Sequence, residues 1–198
     1  MADGFLNIDG DFDWIPKKLK AGVPYPVAGR PSTFILKHDL RGGIPADSNA
    51  LQIIYHSHFL EHLADDEGRA FLSECQRCLA PGAMMRFAVP DLNLWCSNYV
   101  SGKDDFFDWY RRVHLSGDKV RYGTNASVFM GMLYNWGHKM AYDFETLSAL
   151  LTHAGFADIR RAEWGVSETF PGILSVEGPA SERRFESLVI ECTKAASA

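Results

Sequence analysis

The chain has 198 residues, of which 46% are hydrophobic and 23% charged, and its formal net charge is -5. This is the composition of an ordinary globular chain, and its length suits one domain with a sizeable core. The acidic balance, with no block of Lys or Arg, argues against nucleic acid as the main partner. No run of about 18 apolar residues is present to span a bilayer.

The first residues, MADGFLNIDGDFDW, have neither the basic head nor the apolar core of a signal peptide. Cys75, Cys78, Cys96 and Cys192 are too few to staple a chain of this length. A cytoplasmic protein with reduced thiols is expected.

No repeat or low-complexity segment interrupts the chain. FLNI, 5 to 8, reads as a short buried strand, and the Pro/Gly-rich stretch 16 to 32 as loop. FILKHDL, 34 to 40, is a second strand. LQIIYHS, 51 to 57, is a third, and its unbroken apolar run suits burial on both faces of a parallel sheet. Ala70, Phe71, Cys75, Cys78 and Leu79 recur at helical spacing, with Asp65 or Asp66 as N-cap and Pro81-Gly82 as stop.

MMRFAVP, 84 to 90, is again a strand. A second helix starts at Asp143, runs through Leu147, Leu150 and Leu151, and ends at Gly155 with Phe156 as its hydrophobic contact. ADIRRAEW and RFESLVIEC, with no helix between them, are strands expected to pair antiparallel at one edge. Strands alternating with helices predict an α/β sheet covered on both faces. Residues 92 to 142 break the alternation as an aromatic-rich insertion, with KDDFFDWYRRVH helical. Two readings stand for it: a functional cap at the carboxyl end of the sheet, or a cover whose aromatics are core.

The segment IIYHSHFLEHL places His56, His58 and His62 within seven positions, with Glu61 among them. It is similar to the His-x-His-x-Asp-His signature of metallo-β-lactamase-type hydrolases, but one residue too long and with Glu61 as the acid. An extended strand would point His56 and His58 to one side, and a helix starting near His58 would pair it with His62. No single regular structure aligns all three. Cys75-x-x-Cys78 lacks the second pair of a zinc ribbon and sits near the end of a helix, not at its start. No metal is expected. A metal-dependent hydrolase built on His56, His58, His62 and Asp91 remains a minor alternative.

Together, YHSHFLEHL, FLSECQRCLAPGAMMRFAVPDL, YDFETLSALLTHAGFADIRR and ESLVIECTK resemble a small Rossmann-like (class I) S-adenosylmethionine-dependent methyltransferase of the type 11 kind. The matching positions are Ser57 to Leu63, then Glu74, Arg77, Leu79, Pro81 and Gly82, then Arg86 to Asp91. The resemblance implies a single methyltransferase-like domain over 1-198, with 92-142 as insertion or cap. It implies a mostly parallel sheet with an antiparallel last strand and a reduced first half.

It further implies S-adenosylmethionine as cofactor, bound by Asn7, Ile8, Asp9 and Gly10 in the first turn, Asp39 and Leu40 after the next matching strand, and Ser57, His58 and Phe59 at the crossing beside the reacting methyl group. The glycine motif is degenerate: Gly10 stands alone between Asp9 and Asp11. The acceptor implied is a small molecule, such as a sugar or glycan hydroxyl of polysaccharide biosynthesis. Catalytic candidates are His58, His138 and Asp91. A binding or partner protein of the same fold, without turnover, is the alternative that the altered glycine motif supports.

Overall fold

The structure, a computed structural model, describes residues 6–9, 22–27 and 30–195. The chain is α/β, and its described strands form two sheets. In the first, β1 (Leu6–Asp9) lies parallel to β3 (Arg30–Lys37), and β2 (Pro24–Val27) pairs antiparallel on β3's other side. β2 falls inside the stretch expected to be loop. Pro24 and Pro26 lack donors, so this segment can pair only as an edge strand, which is where it lies. β3 begins earlier than expected and stops at Lys37, after which Leu40–Gly42 form a 3-10 turn.

The second sheet has the order β4-β5-β7-β6. β4 (Leu51–Ser57) and β5 (Leu79–Pro90) are parallel and joined by α1 (Asp65–Cys78). Helix α1 buries Phe71, Leu72, Cys75 and Cys78 against the sheet, so the two thiols are core groups, and burial pushes Cys75 and Cys78 up. Its N-cap is Ala64, not an aspartate. Glu67 reaches back to the Ala64 N–H at 2.8 Å, while Asp65 and Asp66 favour the positive end of the helix dipole.

Pro81-Gly82 does not stop α1. It falls within β5, where the pairing jumps from Leu51↔Leu79 to Ile53↔Met84 and leaves a bulge. The strand buried from end to end is β5, from Ala83 to Pro90; β4 has β5 as its sole neighbour among the described residues and is half-buried.

The last two strands are antiparallel as expected. β7 (Ser187–Lys194) lies between β5 and β6 (Phe156–Ala162), leaving β6 at the edge. α5 (Phe144–His153) is capped by Asp143, whose carboxylate accepts from Thr146 N at 2.8 Å. Gly155, at φ 87, supplies the left-handed turn that ends it. A short helix, α6 (Ile173–Glu177), lies between β6 and β7 where none was expected.

The insertion is helical: α2 (Leu92–Val100), α3 (Asp104–His114) and α4 (Asn125–Tyr134). It has its own core of Trp95, Phe107, Tyr110, Leu115, Tyr122, Val128 and Met132. Its neck closes where Asp91 and Tyr142 form a parallel bridge and Leu92 N donates to Tyr142 O.

Candidate active site

β4 and β5 run parallel and end at the same edge of the sheet. β7 runs the other way and starts there. A cavity of about 360 Å³ opens at this edge. His58, Pro90 and Glu186 wall it from the sheet side, and Tyr110, His114, Trp136 and His138 from the insertion. Of the insertion's aromatics, Trp95, Phe107, Tyr110 and Tyr122 are core, and Tyr110 and Trp136 face the cavity.

His58 enters the cavity because the chain reverses there. Its φ is +51, a left-handed conformation uncommon outside glycine, and its N–H still donates to Ala88 O at 2.8 Å. The reversal separates it from His56. The His58 ring has Nε2 at 2.7 Å from Ser187 Oγ and Nδ1 at 3.4 Å from Glu61 Oε1. Burial, with Arg183 nearby, lowers His58 to about 3, so the ring is neutral.

His56 points into the core. It stacks on Phe87 at 4.7 Å and meets Phe71 edge-on at 5.2 Å. Burial lowers it to about 3 as well. Asp91 does not line the cavity either: its carboxylate caps α2 by accepting from Asn93 N at 3.0 Å, and Arg161 approaches to 3.5 Å. The hydrolase set of His56, His58, His62 and Asp91 is therefore not brought together.

A different set is. Glu61 and His62 lie in the 3-10 turn Leu60–His62 that follows β4. His138 follows the turn Asn135–Gly137 at the end of the insertion. Two hydrogen bonds join the segments, from Lys139 N and Met140 N to Glu61 O at 2.8 and 3.1 Å. The His62 and His138 rings cross with centroids 4.7 Å apart. His138 Nδ1 is 2.7 Å from Met132 O. A carbonyl can only accept, so Nδ1 carries the proton and Nε2 keeps its lone pair. Burial lowers both rings. Burial also raises the Glu61 carboxyl to about 7.

Opposite, Glu186 Oε1 lies 3.5 Å from His114 Nε2. Burial raises Glu186 to about 8, with Arg183 opposing the shift and Glu61 adding to it. Glu61, His114 and Glu186 were not among the expected site residues, and His62 was expected only in the hydrolase alternative. Tyr110 and His114, four apart in a predicted helix, share a face, which was the available signal. Glu186 had none.

Among the described residues, the expected cofactor set is not gathered on this cavity, and of its described members His58 alone lines it. Asn7 and Ile8 lie on β1, with Asn7 Nδ2 donating to Phe34 O at 3.1 Å. Asp9 ends β1, and Gly10 lies outside the described residues. Asp39 caps the Leu40–Gly42 turn, and Arg41 grips its carboxylate at 2.6 to 3.1 Å. Those bonds hold Asp39 down at about 2. Leu40 packs beside the main core. The Ser57 hydroxyl is buried. Phe59 packs edge-on to Phe71 at 4.9 Å.

No protein-family model matches the chain, and no curated protein matches it. Solved structures do resemble it. A SAM-dependent methyltransferase from Archaeoglobus fulgidus has 17% identity and a TM-score of 0.46, over 81% of this chain and 67% of that one. A SAM-dependent methyltransferase from Methanosarcina mazei has 15% identity and a TM-score of 0.45, over 84% and 69%. An O-methyltransferase family protein from Burkholderia thailandensis has 12% identity and a TM-score of 0.46, over 84% of this chain and 37% of that one.

Proposed function

We propose that the chain is an S-adenosylmethionine-dependent methyltransferase acting on a small molecule, with a sugar or glycan hydroxyl as acceptor and residues 92–142 as the cap over it. The observation that carries this reading is the position of the cavity. It lies outside the carboxyl ends of two adjacent parallel strands, the place where open α/β sheets bind ligands. The segments flanking it, Ser57 to Leu63 and Arg86 to Asp91, are the ones whose sequence resembles a methyltransferase.

Methyl transfer by in-line displacement needs an aligned acceptor, removal of the hydroxyl proton and exclusion of water. In this reading the insertion supplies the aromatic wall that excludes water, through Tyr110 and Trp136. His58 has Nε2 engaged by Ser187 and Nδ1 close to Glu61, and serves to orient. His138, with the lone pair of Nε2 uncommitted, marks the end of the cavity where an acceptor hydroxyl loses its proton.

A second reading, a binding protein of the same fold without turnover, is favoured by one observation: the Asp39 carboxylate is already held by Arg41. That pair is more than half exposed on both sides, so solvent screens it and a ligand can displace it at little cost.

Calorimetric titration with S-adenosylhomocysteine tests the proposal. Binding near the micromolar range, about -8 kcal/mol, that is weakened by Asp39→Ala is the expected result. No binding at millimolar ligand would leave the second reading.

A further inference from the structure

Glu61 lies behind the cavity wall, next to its lining residues His58 and His62. Its side chain is 1% exposed, and neither carboxylate oxygen receives a hydrogen bond among the described residues. Buried polar groups in folded proteins are paired, and those that are not call for a specific explanation. His58 Nδ1 lies 3.4 Å and His62 Nε2 3.9 Å from its Oε1.

Glu61, His62 and His138 each offer one ligand atom, and these atoms lie within 4.8 Å of one another. Ligands around an ion at about 2.0–2.1 Å stand roughly 3.3 Å apart in a tetrahedron, so the closure required is about 1.5 Å at most. The supporting contacts are those of a ligand set. His138 gives its Nδ1 proton to the Met132 carbonyl. Such a bond fixes the tautomer and aims the other nitrogen. The two segments are already joined through the Glu61 carbonyl.

We propose that Glu61, His62 and His138 bind one divalent transition-metal ion, with His58 holding Glu61 in place and the coordination position facing the cavity left open. Two imidazoles and a carboxylate suit zinc, iron or cobalt better than magnesium or calcium, which take oxygen ligands. The inference rests on these side chains and not on the methyl-transfer reading. If both hold, the ion would acidify an acceptor hydroxyl at the open position, and His138 would act as its ligand in place of a base.

The test uses the full chain after chelator treatment. Zn²⁺ is titrated by calorimetry and Co²⁺ by visible absorption. Expected are one equivalent of either ion at micromolar affinity or tighter, and the intense visible bands of four- or five-coordinate Co²⁺. Glu61→Gln and His138→Ala should each weaken binding about 100-fold, the upper end of what loss of even a supporting partner costs. His153→Ala, an exposed histidine of α5, should leave it unchanged.

Should either variant misfold by circular dichroism, half-exposed His62 offers a third, His62→Ala, with the same expectation. Absence of a one-equivalent isotherm, or binding that survives these substitutions, would overturn the proposal. S-adenosylhomocysteine titrated with and without Zn²⁺ keeps the two proposals apart, because either ligand can bind while the other fails.

Discussion

Arg86 and Glu177 meet fork to fork with both side chains fully excluded from solvent, Nε to Oε1 at 2.7 Å and Nη2 to Oε2 at 2.9 Å. The remaining donors of Arg86 reach Glu191 Oε1 at 2.8 Å, Val166 O at 3.0 Å and Glu163 O at 2.7 Å. One side chain of β5 thus fastens the segment between β6 and β7 to the sheet. Removing it strands the Glu177 carboxylate in the interior. Arg86→Ala should cost about 3–5 kcal/mol, read by urea denaturation. A loss below about 1 kcal/mol would show that the pair is not held as described.

Glu74 and Arg77 form a smaller latch of the same kind. Glu74 Oε2 accepts from Ile44 N at 3.1 Å and from Arg77 Nη2 at 2.8 Å, and Arg77 donates to Ile44 O and Ala46 O. The Glu-x-x-Arg spacing therefore has a structural role, holding the loop before β4 onto α1. Both side chains are about one-third exposed, which limits their contribution. Arg77→Ala should lower the midpoint of urea denaturation only modestly and leave S-adenosylhomocysteine affinity and zinc affinity within about twofold, a change worth under half a kcal/mol.

The buried ionisable groups set the pH dependence of stability. Burial raises Glu186 from 4.5 to about 8 and lowers His56 from 6.5 to about 3. The folded state holds the Glu186 proton more tightly than the unfolded chain. That contribution is complete below about 4.5 and is lost as pH rises through about 8. The folded state resists protonation of His56, so its contribution is present above about 6.5 and lost as pH falls toward 3.

His114 and Arg183 face Glu186 from α3 and the turn before β7. Burial also lowers His114, which therefore behaves as His56 does. Glu61, the other acidic neighbour, behaves as Glu186 does. Thermal stability of chelator-treated protein should peak at about pH 6.5, because the lowered histidines outnumber the raised carboxyls below it, and Glu186→Gln should flatten the decline from about pH 6.5 to 8.5. A melting temperature still rising over that interval would contradict this.

Periodicity made α1 and α5 legible, because each buries one stripe on the sheet and carries acidic residues at its start. It also exposed the insertion, whose ends fall at the Asp91–Tyr142 bridge. β2 was hidden by its prolines, which signal loop unless the strand is known to be an edge. That β7 intervenes between β5 and β6 is a matter of long-range pairing that local pattern does not carry.

The site follows the same division. His58 and His138 could be singled out, but the contact of His58 with Ser187 spans 129 residues. Likewise, the joining of His138 to Glu61 depends on backbone bonds that no motif records. An extended strand would have put His56 and His58 on one side, but alternation fails at the left-handed His58.

That left-handed residue provides the last prediction. The φ of +51 at His58 costs about 1–2 kcal/mol for a residue with a Cβ and nearly nothing for glycine. His58→Ala keeps the strain and loses the contacts to Ser187 and Glu61. His58→Gly loses the same contacts and releases the strain. The glycine variant should therefore be more stable than the alanine variant by about 1 kcal/mol, measured by denaturant titration of both. Ligand affinity separates the roles of ring and backbone. If the ring orients the site, both variants weaken S-adenosylhomocysteine or Zn²⁺ binding alike. If the turn alone matters, the glycine variant binds as the parent does, and His58 is a positioning residue no longer.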